Sequence, residues 1–347
     1  MSRPHPLSAD RASAIIAAFA DQRVVVVGDM VADEYIFGTP GRVSREAPVV
    51  VLEYTGRRLV PGGATNVAVN LRALGAAVSV VGVIGDDQMG RELRQALINL
   101  SVDTSGLVID PDRPTSTKTR IVGGGPQVVR QQMVRIDRAD SSPLRGAARS
   151  SLFDAARGLL AGASGLILSD YEHGVIDPEL IALCLQSERA GSMVTTVDAH
   201  GDLARFQGVS LATPNQPEAE AALGRVLPDL DSLREGGRQL LSRMDAEGLL
   251  ITRGGLGMVV MDRHGLFIDL PAHLVEVRDA TGAGDTVSAV ATLALGAGAG
   301  LPEAARLGTV AAGLVVRRLG AATVTGAELA AACKDMPARA NFPDDGT

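Results

Sequence analysis

Short apolar runs that alternate with helical stretches are the feature of this sequence that most restricts its fold. The run RVVVVGDM occupies residues 23–30, and from residue 165 to 261 the chain contains GLILSDY, MVTTVDAH, VSLATPN and GLLITRGGLGMVVM. Continuous apolar strands with helices between them predict a parallel sheet that is covered by helices on both faces. We therefore expect a large α/β domain, which 347 residues with 46% hydrophobic residues can fill.

Two segments do not follow this alternation. Residues 35–60 combine short strand-like pieces with turn residues, and residues 112–137 have the pattern of a hairpin with glycines 123–125 at its turn. We expect both segments to leave the main sheet. The predicted domain spans residues 1–340, and residues 341–347 are expected to form a frayed tail.

Composition argues against several classes of protein. A net charge of −7, with 3% aromatic residues and no Trp, is unsuited to binding nucleic acid. Cys184 and Cys333 are isolated, which argues against a disulfide framework or a structural zinc site. We find neither a signal-peptide pattern nor the roughly 18 unbroken apolar residues of a membrane span. We therefore expect a cytoplasmic protein that does not contact membranes.

The stretch VRDATGAGDT, residues 277–286, carries the clearest chemical signal. Gly282 and Gly284 allow positive φ angles and close approach of a ligand to the backbone, and Thr281 is expected to cap the helix that follows. The free N–H groups at that helix start form an anion site, and Asp285 lies in the first turn. Amides beside a carboxylate suit phosphoryl transfer, because the carboxylate takes a hydroxyl proton while the amides stabilise the phosphoryl charge.

Two common glycine-rich nucleotide loops do not match this stretch. A P-loop requires GxxxxGK[ST], and the only lysines are Lys118 and Lys334. A dinucleotide-binding GxGxxG would need a glycine at position 287, where the chain has Val287. A tight turn whose aspartate only complements the helix dipole stays open on spacing alone.

Four motifs resemble those of the ribokinase-like (PfkB) carbohydrate kinases in order and spacing. They are PGGATNVAVNLRALG at 61–75, TPNQPEAE at 213–220, TRGGLG at 252–257 and DATGAGDT at 279–286. The resemblance covers about residues 15 to 330. It implies a ribokinase-like three-layer α/β sandwich with a mostly parallel central sheet, in which the two interrupting segments form a β-sheet lid. It also implies a sugar kinase that uses ATP and Mg²⁺.

The resemblance assigns roles to individual residues. Asp285 matches the catalytic base, and the anion hole matches the amides of Gly282, Ala283 and Gly284. The motif that positions magnesium and the triphosphate matches Asn215 and Glu218, and the nucleotide loop matches Thr252, Gly254 and Gly257. The residues implied in sugar binding are Asp29, Asp33, Gly62, Gly63 and Asn66, and further candidates for substrate binding are Lys118, Arg120, Arg135 and Asp170. Asp170 has helix capping as an alternative. Asp279 and Thr281, with the loop near Gly320, resemble a site for K⁺ in some members.

Within the family, the resemblance is strongest to D-glycero-β-D-manno-heptose 7-phosphate kinases, the kinase half of bifunctional heptose enzymes. It rests on GDMVADEYIFG, RVSREAPVVVLE, RPTSTKTRIV and LSDYEHG. It implies phosphorylation of O1 of a sugar phosphate, and we expect a separate protein to supply the nucleotidyltransferase step.

Two departures concern the phosphate of that substrate. His173 and His200 stand where those kinases commonly have lysine. Either arginines hold the phosphate or the substrate is not the 7-phosphate, and both histidines could equally be surface residues. The cations that could replace the lysines are Lys118, Arg120, Arg130, Arg135 and Arg205.

The edges of an exposed lid sheet need protection, which predicts a homodimer that pairs two lids. Three alternatives to a heptose phosphate kinase remain at this point. They are a kinase of the same fold for ribose, fructose or unphosphorylated heptose, a non-catalytic sugar or nucleotide sensor, and a dinucleotide oxidoreductase.

Overall fold

Two β-sheets of different size organise the protein. The computed structural model describes residues 7–125, 128–188, 193–273, 275–318 and 320–334. The predicted tail at 341–347 lies outside these residues. The strands are β1 (Arg23–Gly28), β2 (Met30–Val43), β3 (Val50–Gly63), β4 (Ala77–Gly85), β5 (Asp103–Asp110), β6 (Ser116–Gly125), β7 (Val128–Arg138), β8 (Gly165–Asp170), β9 (Val194–Ala199), β10 (Leu211–Ala212), β11 (Gly248–Thr252), β12 (Met258–Asp262) and β13 (Phe267–Leu270).

The larger sheet has the strand order β13-β12-β11-β10-β9-β8-β1-β4-β5. All its pairings from β11 to β5 are parallel, as the alternating pattern predicts. The run 248–261 differs from the expected single strand, because it folds into β11 and β12, which pair antiparallel. The reversal occurs at Gly254 and Gly257, whose φ angles of +56° and +93° favour glycine.

Helices cover both faces of the larger sheet. They are α1 (Ala9–Ala17), α2 (Ala64–Ala73), α3 (Gln88–Asn99), α4 (Gly146–Leu160), α5 (Pro178–Glu188), α6 (Gln216–Leu223), α7 (Leu230–Met244), α8 (Ala283–Gly296), α9 (Leu301–Val315) and α10 (Gly326–Lys334). Val24 and Val26 of β1 pack in one core with α1, α2, α3, α8, α9 and α10. Val25 and Val27 pack in the other with α4, α5, α6 and α7. Side chains that alternate between two cores confirm the three-layer arrangement.

The smaller sheet has the order β3-β2-β6-β7 and is called the small sheet below. Its strands β2 and β3 begin and end closer to the core than the predicted segment 35–60. Asp29 is the single residue between β1 and β2, and β3 runs directly into α2. Several of its apolar side chains are exposed in the single chain, among them Val43, Tyr54 and Ile136. Pairing of two small sheets in a homodimer stays a prediction.

In the described residues, helices that are both long enough and apolar enough to cross a lipid bilayer are absent.

Candidate active site

The carboxyl ends of the central strands bring acidic side chains to one edge of the larger sheet. Asp29 follows β1, Asp170 ends β8, and Asp198 lies next to the end of β9. In open α/β sheets this edge is where ligands bind. Asp285, in the first turn of α8, reaches the same region, because its carboxyl interacts with that of Asp198.

The start of α8 depends on one glycine. Gly282 is the N-cap residue with φ +79°, and a Cβ atom there would lie 2.7 Å from Asn66 Nδ2. The expectation that Thr281 caps the helix is wrong, because the cap has no side-chain hydrogen bond and the Thr281 N–H donates to Asp279 Oδ1 at 2.9 Å. Gly284 also differs from expectation, since it lies inside the helix without a positive φ.

Open space lies beside the first turn of α8. A Cβ atom on Gly284 would have no atom within 4 Å among the described residues. The Ala283 N–H already donates to Ala280 O at 3.2 Å. The following amides belong to the first turn, where N–H groups have no partner inside the helix. An anion that contacts this turn would therefore meet Gly284 and Asp285 more directly than Ala283.

Asp285 is buried and held by hydrogen bonds. Its Oδ2 accepts a hydrogen bond from Asn66 Nδ2, and its Oδ1 accepts one from the Tyr171 hydroxyl at 3.3 Å. Burial raises the pKa of Asp285 to about 6, and these donors act against that rise. The carboxyl is therefore ionised at pH 7, yet it is a stronger base than an exposed aspartate.

Asp198 and Tyr171 are site residues that the sequence analysis did not identify. Burial raises the pKa of Asp198 well above its usual range, and the charges of Asp285 and Glu218 raise it further. Burial thus favours the protonated form of Asp198, whose carboxyl interacts with that of Asp285. The sequence signal for Asp198 was its position near the end of β9. The neighbouring strand β8 also ends in an aspartate, Asp170.

Asp29 combines a structural contact with an unused oxygen. Its Oδ2 accepts hydrogen bonds from the backbone N–H groups of Tyr171, at 2.7 Å, and His173, at 3.2 Å. Its Oδ1 is buried and has no partner in the described structure, and burial raises the pKa of the carboxyl. A buried polar atom without a partner favours contact with a bound ligand.

Glycines line the other side of this region, where the small sheet meets α2. A Cβ atom on Gly62 would lie 2.7 Å from the carboxylate of Asp33, and Gly63 has φ +53°. Asn66 follows within the first turn of α2 and donates to Asp285. The structure therefore brings together Asp29, Gly63, Asn66 and Asp285, four of the predicted site residues.

Most of the arginines expected near a substrate phosphate are paired with carboxylates. Arg120 Nη1 lies 2.7 Å from Asp33 Oδ1, and Arg135 Nη2 lies 2.6 Å from Asp137 Oδ2. Arg205 pairs with Asp170, whose pKa burial raises to about 6. Asp170 also accepts a hydrogen bond from a backbone N–H of the following loop. Both of its carboxylate oxygens therefore have protein partners, and neither is free to bind a sugar.

Asn215 and Glu218 close the start of α6 as a capping box. Asn215 Oδ1 accepts the Glu218 N–H at 2.9 Å, and Glu218 Oε2 accepts the Asn215 N–H at 2.8 Å. Glu218 Oε1 lies 2.6 Å from His200 Nδ1, and this hydrogen bond raises the pKa of His200. Thr252 forms an isolated parallel bridge with Asn215, so the predicted nucleotide loop adjoins this helix start.

Asp279 joins the loop before α8 to the loop after α9. Its Oδ1 accepts the Thr281 N–H and its Oδ2 accepts the Gly320 N–H, each at 2.9 Å. The residues predicted for a K⁺ site are thus neighbours, and the cation itself stays a prediction.

Comparison with known proteins decides the family. The sequence model of the family described as pfkB family carbohydrate kinase matches residues 21–327. The chain belongs to this family. Two pfkB relatives are the bifunctional proteins HldE of Geobacter metallireducens and Caulobacter vibrioides, which are 41% and 40% identical over 316 residues. The matches cover 91% and 90% of this chain but 64% of each relative, so the chain spans less than two thirds of their length.

Solved structures of pfkB-type kinases share the fold. Escherichia coli phosphofructokinase-2 in complex with potassium aligns with TM-score 0.73 and 19% identity, over 90% of this chain and 98% of that one. Arabidopsis thaliana ribokinase complexed with ribose and ATP aligns with TM-score 0.71 and 18% identity, over 90% and 99%. The expected ribokinase-like fold is confirmed, and the expected carbohydrate kinase is confirmed at the level of the family.

Proposed function

We propose that this pfkB-family chain transfers a phosphoryl group from ATP to a hydroxyl of a sugar, with Asp285 as the general base. The observation that carries the proposal is a buried, ionised carboxylate in the first turn of α8, directly beside the open space at Gly284. Asn66 and Tyr171 orient it through their hydrogen bonds. The carboxylate accepts the hydroxyl proton, while the first amides of α8 stabilise charge on the phosphoryl group.

The acidic groups beside Asp285 fit a divalent cation. The charges of Asp285 and Glu218 raise the pKa of Asp198, and the described residues place neither lysine nor arginine in ion-pair contact with Glu218 or Asp285. No group of three or more His, Cys, Asp or Glu in the described chain could by itself hold a metal. Mg²⁺, which keeps several water ligands, suits such a site. Glu218, aided by Asn215, would hold it, and it would neutralise the charge of the triphosphate.

We further propose that the sugar is D-glycero-β-D-manno-heptose 7-phosphate and that O1 is phosphorylated. Support comes from the segment RVSREAPV and its neighbouring motifs, and from about 40% identity to HldE proteins over about nine tenths of the chain. Asp29 Oδ1, buried and without a partner, supports a sugar hydroxyl at the end of β1. A different sugar is the alternative that the two histidine departures favour.

Turnover on a panel of sugars tests the proposal. ATP-to-ADP conversion is measured with heptose 7-phosphate, dephosphorylated heptose, fructose 6-phosphate, fructose and ribose. We expect kcat/KM for heptose 7-phosphate to exceed the others by about a hundredfold or more, the discrimination given by a few hydrogen bonds to charged groups. Higher kcat/KM for an unphosphorylated sugar would overturn the heptose phosphate assignment. ADP formation with none of the sugars would overturn the kinase proposal.

The pH dependence of kcat/KM is a second expected result. Asp285 must be ionised to accept a proton, so activity rises with pH through about 6, the pKa that burial gives it, and then levels off. A sugar without a phosphate ester should be used for the measurement, because a phosphate titrates near the same pH. An acidic limb centred near the ordinary aspartate value of about 4 would contradict the buried base.

A further inference from the structure

Lys118 is a cation whose charge is not paired in the described structure. Its cross-strand neighbours are acidic, Asp33 in β2 and Asp137 in β7. Each of these carboxylates is bound to its own arginine instead, Asp33 to Arg120 and Asp137 to Arg135. Among the described residues, Lys118 forms none of the ion pairs within 4.0 Å. Its positive charge is therefore available to a ligand.

His173 places an unused ring nitrogen in the same region. Its Nδ1 is buried and has no hydrogen-bond partner in the described chain. The backbone around the ring is fixed, since the His173 N–H donates to Asp29 Oδ2 and its carbonyl accepts a hydrogen bond from Arg113 Nη1 at 3.2 Å. Burial lowers the pKa of His173, and the positive charge of Lys118 lowers it further. Lys118 and the His173 ring are thus close enough for the charge of one to affect protonation of the other.

Tyr171 lies between Lys118 and the base. Lys118 Nζ lies 4.9 Å from the centroid of the Tyr171 ring, whose hydroxyl contacts Asp285. Lys118 Nζ is thus about one aromatic ring away from the carboxylate that would deprotonate the sugar. That separation suits a second group on the same small sugar, not the hydroxyl that reacts.

We propose that Lys118 and His173 together hold the phosphate ester of the sugar and make the enzyme select a phosphorylated substrate. The inference rests on the proposed sugar kinase function. It favours the lysine and the histidine over the arginines, because Arg120, Arg135 and Arg205 are already bound to carboxylates. His200 is not part of this phosphate subsite, since its Nδ1 contacts Glu218.

Protonation of His173 couples to phosphate binding. The charged groups that act on His173 from the surrounding elements are Lys118, Asp137, Asp170 and His200. The lowered pKa leaves the free ring neutral at pH 7, and a dianionic ester beside it favours the protonated form. Binding therefore takes up a proton, and preference for the phosphorylated sugar falls as pH rises through the pKa of the ring in the complex.

The experiment measures the preference ratio, which is kcat/KM for heptose 7-phosphate divided by kcat/KM for dephosphorylated heptose. We expect Lys118→Met and His173→Gln each to lower this ratio about tenfold to a hundredfold, because the loss of kcat/KM is larger for the phosphorylated sugar than for the dephosphorylated one. Lys334→Met and His264→Gln are matched controls on an exposed helix end and in a hairpin turn, and should leave the ratio unchanged. His173→Lys should keep the ratio and remove its pH dependence between pH 6.5 and 8.5.

Binding without ATP separates this proposal from the proposed function. Titration calorimetry of the two sugars against the wild type and the variants gives the same ratio as a ratio of Kd values. If the wild type forms no ADP, the kinase proposal fails and the Kd ratios alone decide the phosphate subsite. Unchanged ratios in both Lys118→Met and His173→Gln, or an equal loss for both sugars, would overturn it. Retention of the ratio in His173→Lys supports it even if the glutamine variant does not fold.

Discussion

Replacement of Asp285 by asparagine is expected to lower kcat about a hundredfold to ten-thousandfold, the range that general acid–base catalysis contributes. Asparagine keeps the size of the side chain. Its one oxygen can accept the hydrogen bond from Asn66 while its NH2 group donates to the Tyr171 hydroxyl, so the start of α8 should keep its geometry. The amide cannot take the proton of the sugar hydroxyl. Binding of sugar and ATP should therefore persist, with Kd values within about threefold of the wild type.

Steady-state turnover and titration calorimetry on the same preparation check this expectation. Asp154→Asn, an exposed aspartate of α4 far from the site, is the matched control and should retain full kcat. Turnover of Asp285→Asn near the wild-type value would remove Asp285 as the base. Sugar and ATP binding by a wild-type protein without turnover would instead favour a non-catalytic sensor.

Gly282→Ala is expected to lower both kcat and the free energy of unfolding. The added Cβ would lie 2.7 Å from Asn66 Nδ2, at a φ of +79° that alanine adopts only with strain. Asn66 would have to move away from Asp285, and misplacement of a catalytic group by about 1 Å costs about a hundredfold in rate. We expect kcat to fall by at least that factor, and the free energy of unfolding to fall by about 1–3 kcal/mol.

Gly284→Ala distinguishes a loss of turnover caused by strain in the helix start from one caused by a methyl group in the phosphoryl site. Its Cβ would meet no atom within 4 Å among the described residues, and its backbone is helical. Alanine favours a helix over glycine by up to about 1 kcal/mol, so the free energy of unfolding should stay the same or rise. Turnover should nevertheless fall, because the methyl group enters the space that a phosphoryl group would occupy. Denaturant unfolding and kcat are measured on both variants, and equal destabilisation of both would contradict the role given to Gly282.

The layered fold could be predicted from the sequence because its signal is local. The run RVVVVGDM is apolar at every position of β1 after the first, which a strand buried on both faces requires, and the structure places it between two cores. The hairpin of β11 and β12 could not be predicted from local composition. Its strands have the same apolar composition as a single long strand, and only the glycines of the intervening turn distinguish the two cases.

The candidate site was predictable only in part. A glycine-rich turn that ends in Asp285 has a local pattern, whereas the pairing of Arg120 with Asp33 depends on how β6 is aligned with β2. A shift of one residue in that alignment would turn the arginine to the other face of the sheet, and hydrophobic patterning in a half-exposed sheet specifies alignment weakly. The raised pKa of Asp198 depends on burial and on two carboxylates that are distant in sequence, which a linear pattern does not contain.

The connections between the small sheet and the core are very short. Asp29 alone separates the 14-residue strand β2 from β1, and the 14-residue strand β3 passes without a linker into the helix that carries Asn66. Because the two long strands join the core without flexible linkers, a movement of the small sheet is transmitted to the core. A tilt of the small sheet must turn the backbone beside Asn66, and with it the amide that aligns Asp285. We therefore expect contacts between the small sheet and a bound sugar to influence the position of the base through Asn66.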